Sequence, residues 1–107
     1  MPRKNSLTHA EIANLPRGKR FEGGFFSFTV AKAPGKTSKC ACVVSKKVAL
    51  RANDRNLIKR RCREALWPFI TKFNPPLIIV AHARKQAAGA TFALIREDVE
   101  RLIQSCQ

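Results

Sequence analysis

Acid is in short supply in this sequence. Against twenty-one Lys and Arg it sets seven Asp and Glu, a formal net charge of +14 over 107 residues. Such a chain repels itself when compact, and the imbalance points to a polyanionic partner, nucleic acid by default. The few, scattered carboxylates also argue against a protein-only nuclease, which would need clustered Asp and Glu to grip magnesium. No acid/base constellation stands out either. Long apolar runs are missing as well. Leu77 to Ala81 spans five residues, far below the ~20 that cross a bilayer. The opening MPRKNSLTHAEIANL lacks the apolar core of a secretory signal, so a cytoplasmic location is expected. The four cysteines, Cys40, Cys42, Cys62 and Cys106, include no C-x₂-C pair, and neither His9 nor His82 stands at ligand spacing. Zinc is therefore disfavoured. In a reducing cytosol the thiols serve as small apolar residues, with Cys40 and Cys42 pointing to one face of a strand.

What is present is enough apolar material, 45% of the chain, for one modest core in a single domain spanning residues 1–107. Residues 1–6 are expected to fray. A short helix is expected from about Thr8 to Leu15, stopped by Pro16 and Gly18. FFSFTVAKAP alternates Phe26, Phe28 and Val30 with Phe25, Ser27 and Thr29, the period of a half-buried strand. The PGK at 34–36 makes a turn, and KCACVVSKKV from Lys39 reads as a second strand that becomes basic at Lys46 and Lys47. LIIVAHA at 77–83, apolar on both faces and preceded by Pro75 and Pro76, suits an interior strand. A last helix from Thr91 lines up Phe92, Ile95, Val99, Leu102, Ile103 and Cys106 on one stripe, with Glu97 and Arg101 spaced as a pair outside.

Between the second and third of these strands lies a basic helix, and a helical connection of this length normally joins parallel strands. The fold class is α+β with a small mixed sheet. Asn53 is the expected N-cap, and Ile58, Cys62, Ala65, Leu66, Phe69 and Ile70 form the buried stripe. Pro68 is expected to kink or end the helix near Trp67. Arg55 shares an azimuth with Leu66 and Phe73. Because a buried unpaired guanidinium is very costly, the first turn should overhang the sheet and leave Arg55 in an open cleft beside Lys46, Lys47 and Arg51. The helix N-terminal amides would favour anions at the same place. Residues 46–63 hold eight Lys or Arg and one Asp, too lopsided for mutual salt bridges, which favours nucleic-acid contact over a merely solvated face. Phe21 and Phe25 are candidates to stack on unpaired bases, although a Phe is more often core.

VSKKVALRANDRNLIKRRCREAL resembles the signature of the bacterial ribonuclease P protein subunit family. The matching residues are Ser45, Lys46, Lys47, Arg55, Asn56, Lys59, Arg60, Arg63 and Glu64, with the six-residue spacer from Ala49 to Asp54. LIIVAHARK and the closing helix are similar to the family's last strand and helix, so the resemblance covers about residues 20–105. It implies an α-β-β-β-α-β-α domain like the second domain of ribosomal protein S5. It also implies a left-handed crossover through the basic helix, against the usual right-handed preference.

The resemblance further implies an accessory subunit of a ribozyme endoribonuclease. The catalytic RNA, with magnesium held mainly by that RNA, removes the 5′ leader of precursor tRNA, and the protein itself holds no catalytic residue. Lys46, Lys47, Arg51, Arg55, Asn56, Lys59, Arg60, Arg61 and Arg63 are the expected RNA-binding residues. Phe21, Phe25 and Ser27 are the candidates for the leader cleft. The expected partners are the catalytic RNA and the precursor tRNA leader, with no membrane and no small-molecule substrate. Two departures stand out: Leu57 replaces the family's usual second Arg, and Leu15 and Pro16 occupy the region where aromatics commonly meet the leader. The alternative kept open is a ribosomal protein or RNA chaperone of the same fold, without a role in cleavage.

Overall fold

The fold is described from a computed structural model, which places residues 3–13 and 18–106. The elements are α1 (His9–Ala13), β1 (Lys19–Glu22), β2 (Phe26–Lys32), β3 (Lys39–Val43), α2 (Ala52–Ile70), β4 (Leu77–Ala83) and α3 (Phe92–Ser105). This is the α-β-β-β-α-β-α order that the resemblance implied. Leu15 and Pro16 lie outside the described residues. β1 was not legible in the residues themselves. It is a four-residue strand, mostly exposed, with no apolar alternation to mark it.

The sheet is mixed, in the order β1-β2-β4-β3, with β3 parallel to β4 and the other pairs antiparallel. The parallel crossover through α2 is therefore as expected. Facing residues across the sheet form rows, and one row, Phe21, Phe28, Ala81 and Cys42, looks toward the helices. On that face Phe26, Phe28, Val30, Ile79 and Cys40 are buried against Ile58, Cys62, Leu66 and Ile70 of α2 and Ile95, Val99, Leu102 and Ile103 of α3. Each large aliphatic side chain so buried contributes roughly 1.5–3 kcal/mol. Ile78 and Val80 on the opposite face of β4 are buried as well, which fits an interior strand.

Four local expectations need correction. Residues 3–6 do not fray: a 3₁₀ turn at Arg3–Asn5 leads Asn5 into the interior, where its Nδ2 donates to the Ser38 carbonyl at 2.8 Å. The N-cap of α2 is Arg51, without a side-chain cap bond, so Asn53 sits inside the first turn. α2 passes through Pro68 to Ile70 instead of ending near Trp67. Glu64 and Pro68 are both exposed, so the carbonyl that loses its donor can turn to water, while buried Leu66 and Ile70 hold the last turns down. Glu97 and Arg101 are not among the ion pairs of the described residues.

One polar group organises the end of the sheet remote from α1. Asp98, on α3 and almost fully buried, accepts the N–H groups of Gly24, Phe25 and Phe26 at 2.9–3.0 Å. Those residues form the turn between β1 and β2, so a single carboxylate pins the hairpin to α3. A Cβ at Gly23 would lie 2.7 Å from both of its oxygens, which is why glycine stands there. Arg84 continues the pin, donating from its guanidinium to the Gly23 carbonyl and from its backbone to the Phe25 carbonyl. Asp98→Ala should therefore cost about 3 kcal/mol of stability, since three donors lose one charged acceptor. Urea unfolding measures this, and a loss below about 1 kcal/mol would show that water replaces the carboxylate at little cost.

Candidate nucleic-acid interface

β3 is an edge strand, and its outer edge is only partly covered. Ser6 bridges Cys40 in parallel and the Leu7 N–H donates to the Cys40 carbonyl at 3.1 Å. The chain then leaves the edge, because a capping box starts α1. The Thr8 N–H donates to Glu11 Oε1 and the Glu11 N–H to Thr8 Oγ1. Glu11 also takes the Lys39 ammonium at 2.7 Å, and that hydrogen bond, ahead of the one from the Thr8 N–H, holds its carboxyl below the usual range. Between this segment, the rest of β3 and α2 lies a groove of about 560 Å³. Leu7, Ile12, Ala41 and Val43 supply apolar lining, while Lys59 and Arg63 of α2 supply positive charge. A groove of this make suits a single strand, with bases against the apolar lining and phosphates on the cations.

The electrostatics are uncompensated. Among the described residues the ion pairs are Arg20–Glu22 and Lys39–Glu11, and neither involves α2. Lys46 and Lys47 are exposed in the turn after β3, and Arg51, Asn56, Arg60 and Arg63 are exposed on or beside α2. Two arginines behave otherwise. Arg55 does not project into an open cleft: its guanidinium folds back and donates to the Ala49 and Leu50 carbonyls at 3.1 and 2.7 Å. The loop before the helix thus resolves the burial problem that Arg55's azimuth posed, and resolves it locally. Arg61 donates to the Ala90 carbonyl at 2.8 Å, tying α2 to the loop before α3.

The candidates for the leader cleft lie away from this groove. Phe21 sits opposite Phe28 and packs on the core, as does Phe25, and Ser27 is 4% exposed. None of the three lines the β3 groove. The groove's actual wall, Ser6, Leu7 and Ile12, belongs to the segment whose order the sequence hid; the T-x-x-E of Thr8–Glu11 was the available signal. His82 is held below its ordinary pKa by partial desolvation and then by Arg20, which favours its neutral form. Burial pushes the Cys40 thiol up to about 12 and raises Cys62 as well, so both remain apolar fillers. Among the described residues no three His, Cys, Asp or Glu side chains gather as ligands for a metal ion.

Comparison with known proteins matches the whole chain, residues 1–107, to the family model described as Ribonuclease P. This chain belongs to the ribonuclease P protein family. The ribonuclease P protein component of Picosynechococcus sp. is 31% identical over 105 residues, covering 96% of this chain and 90% of that relative. That of Pseudarthrobacter chlorophenolicus is 37% identical over 78 residues, 73% of this chain and 57% of the relative. The fold is shared with the ribonuclease P protein of Staphylococcus aureus (TM-score 0.84, 21% identity, 96% and 95% of the two chains). It is shared also with that of Thermotoga maritima (TM-score 0.73, 24% identity, 84% of each).

Leu57, the departure from the family's Arg-Asn-Arg pattern, lines a hollow with Arg61, Ala87 and Ala90. It therefore faces the side of α2 turned toward the loop before α3. Arg61 on that side is committed to Ala90, so it does not stand in freely for the missing arginine.

These placements separate two kinds of arginine on one helix. Arg60→Ala and Arg63→Ala should each weaken RNA binding and lower the log–log salt slope by about one unit per lost phosphate contact. Arg61→Ala should instead lower stability by about 1 kcal/mol through loss of its carbonyl bond. Salt-dependent RNA titrations and urea unfolding read the two effects, and an unchanged slope for Arg60 and Arg63 would place both in bulk solvent.

Proposed function

We propose that this chain is the protein subunit of a bacterial ribonuclease P, acting in the cytoplasm in the removal of the 5′ leader from precursor tRNA. The observation that carries the reading is the groove between β3, the N-terminal segment and α2, whose Lys59 and Arg63 have no acidic partner among the described residues. In this reading the exposed cations of α2 and of the turn before it hold the catalytic RNA by its phosphates, and the groove takes the single-stranded leader. The protein positions and neutralises. In the same reading, bond cleavage and the magnesium it uses belong to the RNA. Family membership supports this reading over that of a ribosomal protein or chaperone.

Reconstitution is the test. The purified chain, added to the catalytic RNA of its own organism at low magnesium, should stimulate cleavage of precursor tRNA. RNA binding without stimulation would overturn the proposal in favour of a binding protein with no part in cleavage.

A further inference from the structure

The side of α2 away from the core carries a second hollow, of about 280 Å³, lined by Arg60, Arg63, Glu64, Trp67 and, from the N-terminal segment, Ser6. The four helical positions are spaced i, i+3, i+4 and i+7, which puts them on one face. Trp67 is the only tryptophan of the chain and is 38% exposed. The core beneath is closed by Leu66 and Ile70, which are fully buried, so the indole is not needed to fill it. Isolated exposed apolar residues are ordinary, and Leu50 and Leu94 are two such cases. Trp67 differs from them by lining a concavity that two arginines also line.

Glu64 is the less expected member. It follows Arg60 by four residues, a spacing that commonly pairs opposite charges. Yet no ion pair within 4 Å joins it to Arg60 or Arg63, because the pairs among the described residues lie elsewhere. Among the described residues nothing claims its two acceptor oxygens, on a surface where a bare carboxylate weakens the attraction for phosphate. Such a group is useful there only if it accepts hydrogen bonds from the ligand.

We propose that this hollow binds one unpaired guanine of the RNA partner. The base stacks on Trp67, Glu64 accepts from the N1–H and the N2 amino group, and Arg60 and Arg63 hold the flanking phosphates. Guanine is the RNA base with two adjacent donors on its Watson–Crick edge, matching a carboxylate that has acceptors only. Adenine, cytosine and uracil each place an acceptor beside the donor, which a carboxylate repels. Stacking tolerates any base and supplies affinity, while the carboxylate supplies the choice. The inference rests on the RNA-binding reading above and adds a base preference that charge alone cannot give.

The lone tryptophan makes the site its own reporter. Heptauridylate, and the same strand with its central uridine replaced by guanosine or adenosine, are titrated into the full chain while Trp67 emission is followed. Anisotropy of end-labelled strands gives total binding in parallel. The guanosine strand should bind about tenfold more tightly than the adenosine strand, the scale of one bidentate base contact, and should quench Trp67. Glu64→Gln removes the charge and puts a donor beside the acceptor, so heptauridylate should bind more tightly while the guanosine preference falls to within about twofold. Trp67→Leu should weaken every strand by about tenfold, and Trp67→Phe should recover part of the loss. Equal affinity for the three strands, a preference that survives Glu64→Gln, or binding with no quenching would each overturn this inference alone. Failure of every strand to bind at low salt would instead reject the RNA-binding reading beneath it.

Discussion

The interface depends on the parallel pairing of β3 with β4. Two parallel neighbours cannot be joined by a tight turn, so the chain must cross over, and α2 is that crossover. The same pairing leaves β3 at the edge of the sheet, beyond β4, with one side unclaimed by any strand. Exposed edges invite unwanted pairing and are usually guarded by charge or by short covering segments. Both devices are present here, as Ser6 and Leu7 cover the start of β3 while Lys59 and Arg63 stand along the remainder. The groove is what this partial cover leaves open. Its positive charge follows from the helix that the crossover requires.

At the opposite end the sheet is closed by a buried charge. Asp98 gathers the β1–β2 turn onto α3, α3 packs on α2, and Arg61 bonds the loop between β4 and α3. The effect is to separate labour. Hydrogen bonds to backbone carry rigidity at the hairpin end, whereas in the groove Lys59 and Arg63 have no acidic partner among the described residues. A carboxylate moved from position 98 to the groove would weaken both ends at once, losing the pin and neutralising the surface.

How much of this was legible follows from which signals are periodic. The α3 stripe, the inward residues of β2 and the buried stripe of α2 were readable, because apolar spacing reports a buried face directly. The basic signature from Lys46 to Arg63 was readable because its eight Lys and Arg face a single Asp. β1 was missed since its four residues carry no alternation, and its place comes from pairing with β2. The seating of Asn5 and Ser6 was missed for a related reason: they are held by one amide–carbonyl bond and one bridge, and neither leaves a pattern in sequence. Phe21 and Phe25 were ambiguous on chemistry alone, since a core ring and a stacking ring are the same residue. Asp98 was hidden because its partners are backbone groups more than seventy positions away.

The count of basic residues therefore overstates the contact surface while describing the field correctly. Of the eight cations in residues 46–63, Arg55 and Arg61 give hydrogen-bond donors to carbonyls of their own chain. A carbonyl occupies donors without cancelling the charge, so both arginines still act on an approaching polyanion across a screening length of about 8 Å at physiological salt. The other six have no acidic partner among the described residues. In the proposed reading, steering would draw on all eight, whereas counterion release on binding would draw on those that touch the RNA. The two quantities come apart because the fold uses guanidinium, with its five donors and permanent charge, as a structural brace that stays cationic. A lysine at position 55 or 61 would keep the field but lack the fork geometry, so the brace would weaken first and the electrostatics last.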